Sequence, residues 1–220
     1  MIRVAIMVDG GFYRKRANYL WGEKTAEDRA NEIYNYCRSH VGRNYLYRVF
    51  YYDCLPIKKT VFHPMLNKNI HLGKSDTYTW ATTFFEKLKQ KRKFALRLGE
   101  LSDTNAGYNL KVESTKNLIT GKISLKDLSN KDFELVGVEQ KGVDMKIGTD
   151  IASVVFKGQV DQIILIAGDS DFVPASKLAR REGIDFILDP LWANIKPSLF
   201  EHIDGLKSKC ENVKFQKNPK

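Results

Sequence analysis

The 220 residues, 43% of them hydrophobic, suit one sizeable domain or one domain with a large insertion, and the longest apolar runs fall far short of the ~20 residues a bilayer-spanning helix needs. Lys and Arg number 36 against 26 Asp and Glu, and the net charge of +10 favours a polyanionic partner. Three scattered cysteines, Cys37, Cys54 and Cys210, form neither a CxxC pair nor a zinc spacing and suit a reducing cytoplasm rather than a disulfide framework.

The chain opens directly in strand-like sequence, with no cleavable signal pattern. Ile2–Val8 is an apolar run of the kind buried on both faces of a parallel sheet. It ends in Asp9-Gly10-Gly11, which places a carboxylate at the strand's carboxyl end beside glycines that admit close backbone approach. Phe12–Leu20, a short helix or loop, carries Arg14, Lys15 and Arg16, which are candidate phosphate contacts or the solvated side of a helix. Thr25 caps a helix that runs to about His40, with Cys37 as a small buried hydrophobe. Tyr45–Tyr52 reads as a second strand, and Asp53 leaves its carboxyl end as a turn residue or a further acid at the same edge. Leu55–Ser75 has no clean period and reads as an irregular basic segment, a substrate-facing wall or mobile loop. Its His63 and His71 lack a third ligand nearby, which argues against zinc.

Asp76–Lys93 predicts a helix with Trp80, Thr83, Phe84 and Leu88 inward and a basic end that complements the helix dipole. Phe94–Leu101 alternates as a strand. Residues 102–132 are polar and turn-rich and read as an insertion, with Tyr108–Val112 and Asn117–Ile123 as a candidate hairpin. Phe133–Val138 returns to strand character and delivers Lys141, a candidate phosphate ligand, and Asp144, which opens a helix. Asp150 lies about 600° further round that helix and therefore on a different face from Asp144. Ile163–Ala167 is the core of a central strand, Gly168 turns the chain, and Asp169 and Asp171 follow at once. Ser170 or Asp171 caps the next helix, roughly Phe172–Glu182, with Pro174 in its first turn and Gly183 at its end. Ile184–Leu188 is the last parallel strand, Trp192–Leu206 a short helix or two, and residues 207–220 a basic, frayed tail.

In open α/β sheets ligands gather at the carboxyl ends of the strands. Carboxylates crowded there need a cation or protons to offset their repulsion, and all-oxygen ligation suits Mg²⁺ or Mn²⁺ with phosphate as the usual partner. No GxxxxGK[ST] motif occurs, which disfavours NTP hydrolysis.

Taken together, VDGGF (Val8–Phe12), KGVDMKIGTD (Lys141–Asp150) and AGDSDFVP (Ala167–Pro174) resemble the NYN domain, in its LabA-like branch, within the PIN-like nucleases. The resemblance implies an α/β, Rossmann-like three-layer fold with a mainly parallel sheet over residues 1–206. It also implies a metal-dependent ribonuclease site, with Asp9, Asp144, Asp169 and Asp171 as the catalytic and metal-holding acids and Asp150 as an accessory acid. Single-stranded RNA is the expected partner, the cytoplasm the expected location, and a homodimer is compatible with how such domains pair. One departure is the family's frequent Asn shortly after DG, replaced here by Gly11 and Phe12. That leaves a catalytically weak or inactive RNA-binding or regulatory module of the same fold as the alternative. A haloacid dehalogenase-type phosphatase is less favoured, because Asp9 is followed by Gly10-Gly11 rather than by a second Asp two residues on.

Overall fold

Runs of β-branched residues form the centre of the sheet, and the segments between them form its helices. The computed structural model describes residues 1–211. In chain order the first elements are β1 (Arg3–Asp9), α1 (Gly10–Trp21), α2 (Ala26–Val41), β2 (Tyr45–Cys54), β3 (Thr60–His63), β4 (Lys68–His71), α3 (Asp76–Lys89), β5 (Phe94–Ser102) and β6 (Gly107–Leu110). Then come α4 (Val112–Ile119), β7 (Phe133–Val136), β8 (Glu139–Lys141), α5 (Val143–Phe156), β9 (Gln162–Ile166), α6 (Val173–Arg181), β10 (Asp185–Asp189), α7 (Pro197–Phe200) and β11 (Gly205–Leu206). They fall into two units: Met1–Cys54, Thr83–Gly99 and Gly142 onward form the first, and Leu55–Thr82 with Glu100–Lys141 the second. No described helix is long and apolar enough to cross a membrane.

The expected α/β fold with a mainly parallel sheet is present, in seven strands ordered β11-β10-β9-β1-β2-β5-β8. β1 lies between β9 and β2 and runs parallel to both, with Val8 opposite Ile166 and Asp9 opposite Tyr52. From β1 the chain winds outward one way through β2 and β5, then returns to fill the other side through β9, β10 and β11. The reversal between β1 and β9 is a topological switch point, where the strand ends open a crevice. Val4–Val8 of β1 and Ile163–Ile166 of β9 are almost wholly shielded from water, as their unbroken apolar runs require. Helices α1 and α5 pack on β1 and β2, α2 on β2, and α6 on β10.

Local signals set several element ends as expected. Thr25 Oγ1 accepts from Asp28 N at 3.1 Å and caps α2, Cys37 is fully buried, and Gly183 follows α6 with φ +80°. Other expectations change. Helix α3 stops at Lys89, and Lys93 takes a left-handed backbone (φ 64°) at the turn into β5. On that helix Ala81, Phe84, Phe85 and Leu88 are buried, whereas Thr83, expected inward, is exposed.

In the second unit, the supposedly irregular Leu55–Ser75 contains the antiparallel hairpin β3–β4, with Asn67 in the left-handed region (φ 47°). β6 pairs with β7, and Asn117–Ile119 belongs to helix α4, so the candidate hairpin within the insertion does not form. His63 is a core residue, its ring 4.4 Å from Tyr108 and 5.3 Å from Phe133.

The end of the first unit is held by a buried carboxylate. Asp189 is fully buried and accepts from Tyr36 Oη at 2.5 Å, Ser208 Oγ at 2.6 Å and Leu191 N at 2.8 Å, with His40 Nε2 at 2.8 Å. Lys207 N donates to the Leu188 carbonyl and Lys209 N to Tyr36 Oη. The first residues of the expected frayed tail are therefore pinned, and its remainder, residues 212–220, lies outside the described residues.

Two glycines behave oppositely. A Cβ on Gly10 would lie 2.6 Å from both Asp53 Oδ2 and the Tyr52 carbonyl oxygen, whereas a Cβ on Gly148, inside α5, would meet nothing within 4 Å. Gly10→Ala is expected to destabilise the protein by about 1–3 kcal/mol, because backbone cannot yield. Gly148→Ala is expected to stabilise it by about 0.5–1 kcal/mol, through lower unfolded-state entropy. Urea unfolding of the two variants measures both; equal shifts would contradict the packing described.

Candidate active site at the carboxyl ends of the strands

Asp9 ends β1 and caps α1, its Oδ1 accepting from Phe12 N at 3.0 Å. Beside it, near the end of β2, lies Asp53, fully buried and ion-paired with Arg14 Nη2 of α1 at 2.9 Å. Asp53 also accepts from Cys54 N at 2.8 Å and from Tyr51 Oη at 3.4 Å. It is thus neither a turn residue nor an open ligand: it is the buried partner of Arg14. The first turn of α1 comes this close only because residue 10 has no side chain.

Burial pushes the Asp9 carboxyl up to about 6, with the charges of Asp144 and Asp53 adding to the rise and the amides of Phe12 and Gly11 opposing it. Asp144 is exposed in the first turn of α5. Its carboxyl is also pushed up, by partial burial first and then by the charges of Asp169 and Asp171. Asp144 thus feels the charges of Asp169 and Asp171, and its own charge in turn acts on Asp9.

The turn after β9 fixes the last two. Asp169 caps a short 3₁₀ turn, Ser170–Phe172, by accepting from Asp171 N at 3.1 Å, and α6 begins only at Val173. Neither Ser170 nor Asp171 caps α6, whose N-cap position is Phe172 with no side-chain hydrogen bond, and the Asp171 carboxylate is exposed. Gly168 is required for packing: a Cβ there would lie 2.5 Å from the ring of Phe12. The VDGGF and AGDSDFVP motifs, far apart in sequence, interlock through that ring.

The other expected site residues have different surroundings. The Asp150 carboxylate is clasped by Arg97, with Nη2 2.9 Å from Oδ1 and Nε 2.9 Å from Oδ2, and accepts from Tyr52 Oη at 3.0 Å. Arg14 is taken by Asp53, and Arg16 donates twice to the Leu191 carbonyl while lying over the Tyr19 ring. Lys15 is exposed on α1. Lys141 is exposed and closes β8 in the second unit. Sequence reasoning passed over Lys196, whose Nζ donates to Ser170 Oγ at 3.2 Å and so brings a cation to the two-acid turn. A lysine 26 residues away, in a stretch without periodicity, gave no signal of that approach.

Among the described residues no three His, Cys, Asp or Glu side chains form a ready-made metal-binding group. The donor set is nevertheless all-carboxylate, and Mg²⁺ is commonly held through only one or two carboxylates with retained waters and substrate phosphate. Residues of this type, short of cationic partners, fit a hard divalent ion.

No curated protein matches the chain. The NYN domain model matches residues 78–196, more than half of the chain, a span that includes Asp144, Asp169, Asp171 and Lys196 and stops short of Asp9 and Asp53. With a mainly parallel sheet whose switch point carries acids from three separate motifs, the chain belongs to the NYN domain family of the PIN-like nuclease superfamily.

Proposed function

We propose that this protein is a ribonuclease of the LabA-like branch that hydrolyses phosphodiesters in single-stranded RNA with Mg²⁺ or Mn²⁺. Asp9, Asp144, Asp169 and Asp171 are the acids that hold the ion. The observation that carries this reading is the placement of Asp9 at the end of β1 and of Asp169 and Asp171 in the turn that follows its parallel neighbour β9, with the raised carboxyls of Asp9 and Asp144 in support. Family membership supports the nuclease class, and the preference for RNA rests on the resemblance of the motifs. When bound, a divalent ion supplies charge neutralisation at the phosphate and an activated water.

The chain's own groups do the positioning. Asp9 is oriented by the first-turn amide of Phe12 and by the α1 anchor of Arg14 on Asp53. Lys196, steadied by Ser170, places an ammonium where a phosphate oxygen needs a counter-charge. Lys15, exposed on α1, adds to the attraction of the RNA backbone. Asp150 braces α5 against β2 and β5 and has no part in the chemistry. The protein works in the cytoplasm, as its uncrosslinked cysteines suit.

End-labelled single-stranded RNA incubated with Mn²⁺, Mg²⁺ or EDTA tests the reading. Internal cutting is expected with either metal and not with EDTA. Asp169→Asn is expected to cut at least ~100-fold more slowly with its melting temperature little changed, since one lost charge interaction at a reacting phosphate is worth about 3 kcal/mol. Lys196→Gln is expected to cost about 10-fold, mainly in KM. Metal-independent binding with no cutting under any condition would replace the nuclease by an RNA-holding module.

The raised Asp9 carboxyl makes a second prediction. Its folded value of about 6 lies above the ordinary 3.8, so between those pH values the folded state binds more protons than the unfolded one. The resulting cost to folding is absent below about pH 4, grows through pH 6 and is complete above it, on the order of 1–3 kcal/mol. In EDTA, Asp9→Asn, which keeps a good helix cap, should match the wild type near pH 4 and exceed it in stability at pH 7.5. Mn²⁺ should close the gap by stabilising the wild type. A difference in stability that stays flat with pH would contradict the burial and crowding of Asp9.

A further inference from the structure

The first unit has a second charged feature at the other end of the strands. A cavity of about 240 Å³ opens at the amino ends of β1, β2 and β5, lined by Arg38, Arg43, Arg92, Lys93, Tyr34 and Tyr45 among others. No carboxylate lines it. Arg38, Arg43 and Arg92 are exposed, and among the described residues none has a carboxylate within ion-pair distance. Met1 lies at this cavity and Asp9 at the far end of β1, so roughly 25 Å of strand separates it from the acids.

One of the lining cations, Lys93, is held in place. Lys93 occupies a left-handed backbone conformation that lysine does not favour, and its ammonium donates to the Leu46 carbonyl while lying 3.7 Å over the Tyr45 ring. An ammonium has three N–H groups, so donors remain after that bond. Tyr34 is likewise roofed by Lys91, 5.7 Å from its centroid. The bland explanation, complementing the dipole at the end of α2, accounts for Arg38 in its last turn. It does not account for Arg43 beyond the helix, or for Arg92 and Lys93 in the turn before β5.

We propose that this cavity is an anion site that takes the phosphate of a nucleotide, gripped by the guanidinium forks of Arg43 and Arg92 with Arg38 and Lys93 beside them. Planar guanidinium groups match phosphate oxygens in pairs, and a cavity of this size admits a phosphate with part of its nucleoside. The phosphate comes either from a free mononucleotide or from a stretch of single-stranded RNA lying away from the acids. The site stands apart from the acid cluster and does not rest on the nuclease reading.

The test uses the whole protein in EDTA, so that no cutting takes place. One arm measures the affinity of a fluorescein-labelled single-stranded RNA oligonucleotide by anisotropy as salt is varied; the other measures uridine 5′-monophosphate by calorimetry. The double variant Arg43→Gln/Arg92→Gln is compared with Lys116→Gln/Lys126→Gln, which removes the same charge from exposed positions in the second unit. The proposal expects the arginine pair to weaken binding at least ~5-fold in one arm or both. In the RNA arm it also expects the salt slope to fall by about 1–1.5 for two lost phosphate contacts. Loss in both arms indicates a free nucleotide as the ligand, and loss with RNA alone a polynucleotide. Equal losses in the two double variants, or no loss from the arginine pair, would overturn it and leave diffuse net charge as the whole effect.

Discussion

The carboxyl edge of the sheet depends on how closely α1 approaches the end of β2. Gly10 makes that approach: with any side chain there, the helix would collide with the Tyr52 carbonyl and with Asp53. The contact lets Arg14 reach the fully buried Asp53, and it sets the direction in which Asp9 leaves β1. Burying such an ion pair costs desolvation, which at Asp53 outweighs the pull of Arg14, so the carboxyl is pushed up. Losing either partner would strand the other charge. The arrangement is therefore a poor source of stability and a good device for fixing one geometry, and the charge of Asp53 adds to the pressure on Asp9.

A second constraint ties the three motifs together. Phe12 follows the first acid, and its ring lies where a Cβ of Gly168 would have to sit. The turn that carries Asp169 and Asp171 is thereby referenced to the turn that carries Asp9, while α5, which carries Asp144, packs beside the same Ser170–Phe172 turn. A family model that begins at residue 78 omits the first of these motifs, yet the packing makes all three one construction.

What the sequence displays is what each segment does for itself. The apolar runs of β1, β9 and β10, the Thr25 cap and the Gly183 stop rest on periodicity and local hydrogen bonding, and they read correctly, although the last parallel strand is the two-residue β11 rather than β10, too short to leave a pattern. The helical angle between Asp144 and Asp150 was legible for the same reason, and it separates an exposed acid from one clasped by Arg97 and Tyr52. Partnerships across the fold were not legible. Arg16 looked like a phosphate contact because nothing in its neighbourhood reveals the Leu191 carbonyl that takes its guanidinium. The Asp189 hub, which draws Tyr36, His40 and Ser208 together, and the reach of Lys196 to Ser170 are invisible on the same grounds. In the second unit, Asn67 supplied the left-handed residue for a hairpin that its lysine-rich surroundings concealed.

The carboxylates of the fold differ in what holds them. Asp161 accepts from Arg3 through backbone and side chain, and that holds its carboxyl down to about 2. Asp53 has Arg14, Asp150 has Arg97, Asp204 has Arg180, and Asp189 has hydroxyl and amide donors with His40 alongside. Asp9, Asp144, Asp169 and Asp171 have no cation at ion-pair distance among the described residues. The hydrogen bonds they do have are to backbone amides of their own turns. In a chain with a net charge of +10, acids without a cationic partner near the ends of β1 and β9 run against the average electrostatics of the molecule. Repulsion between neighbouring carboxylates is in general relieved by protons at low pH or by a cation, and a cation also lowers the barrier to an approaching phosphate.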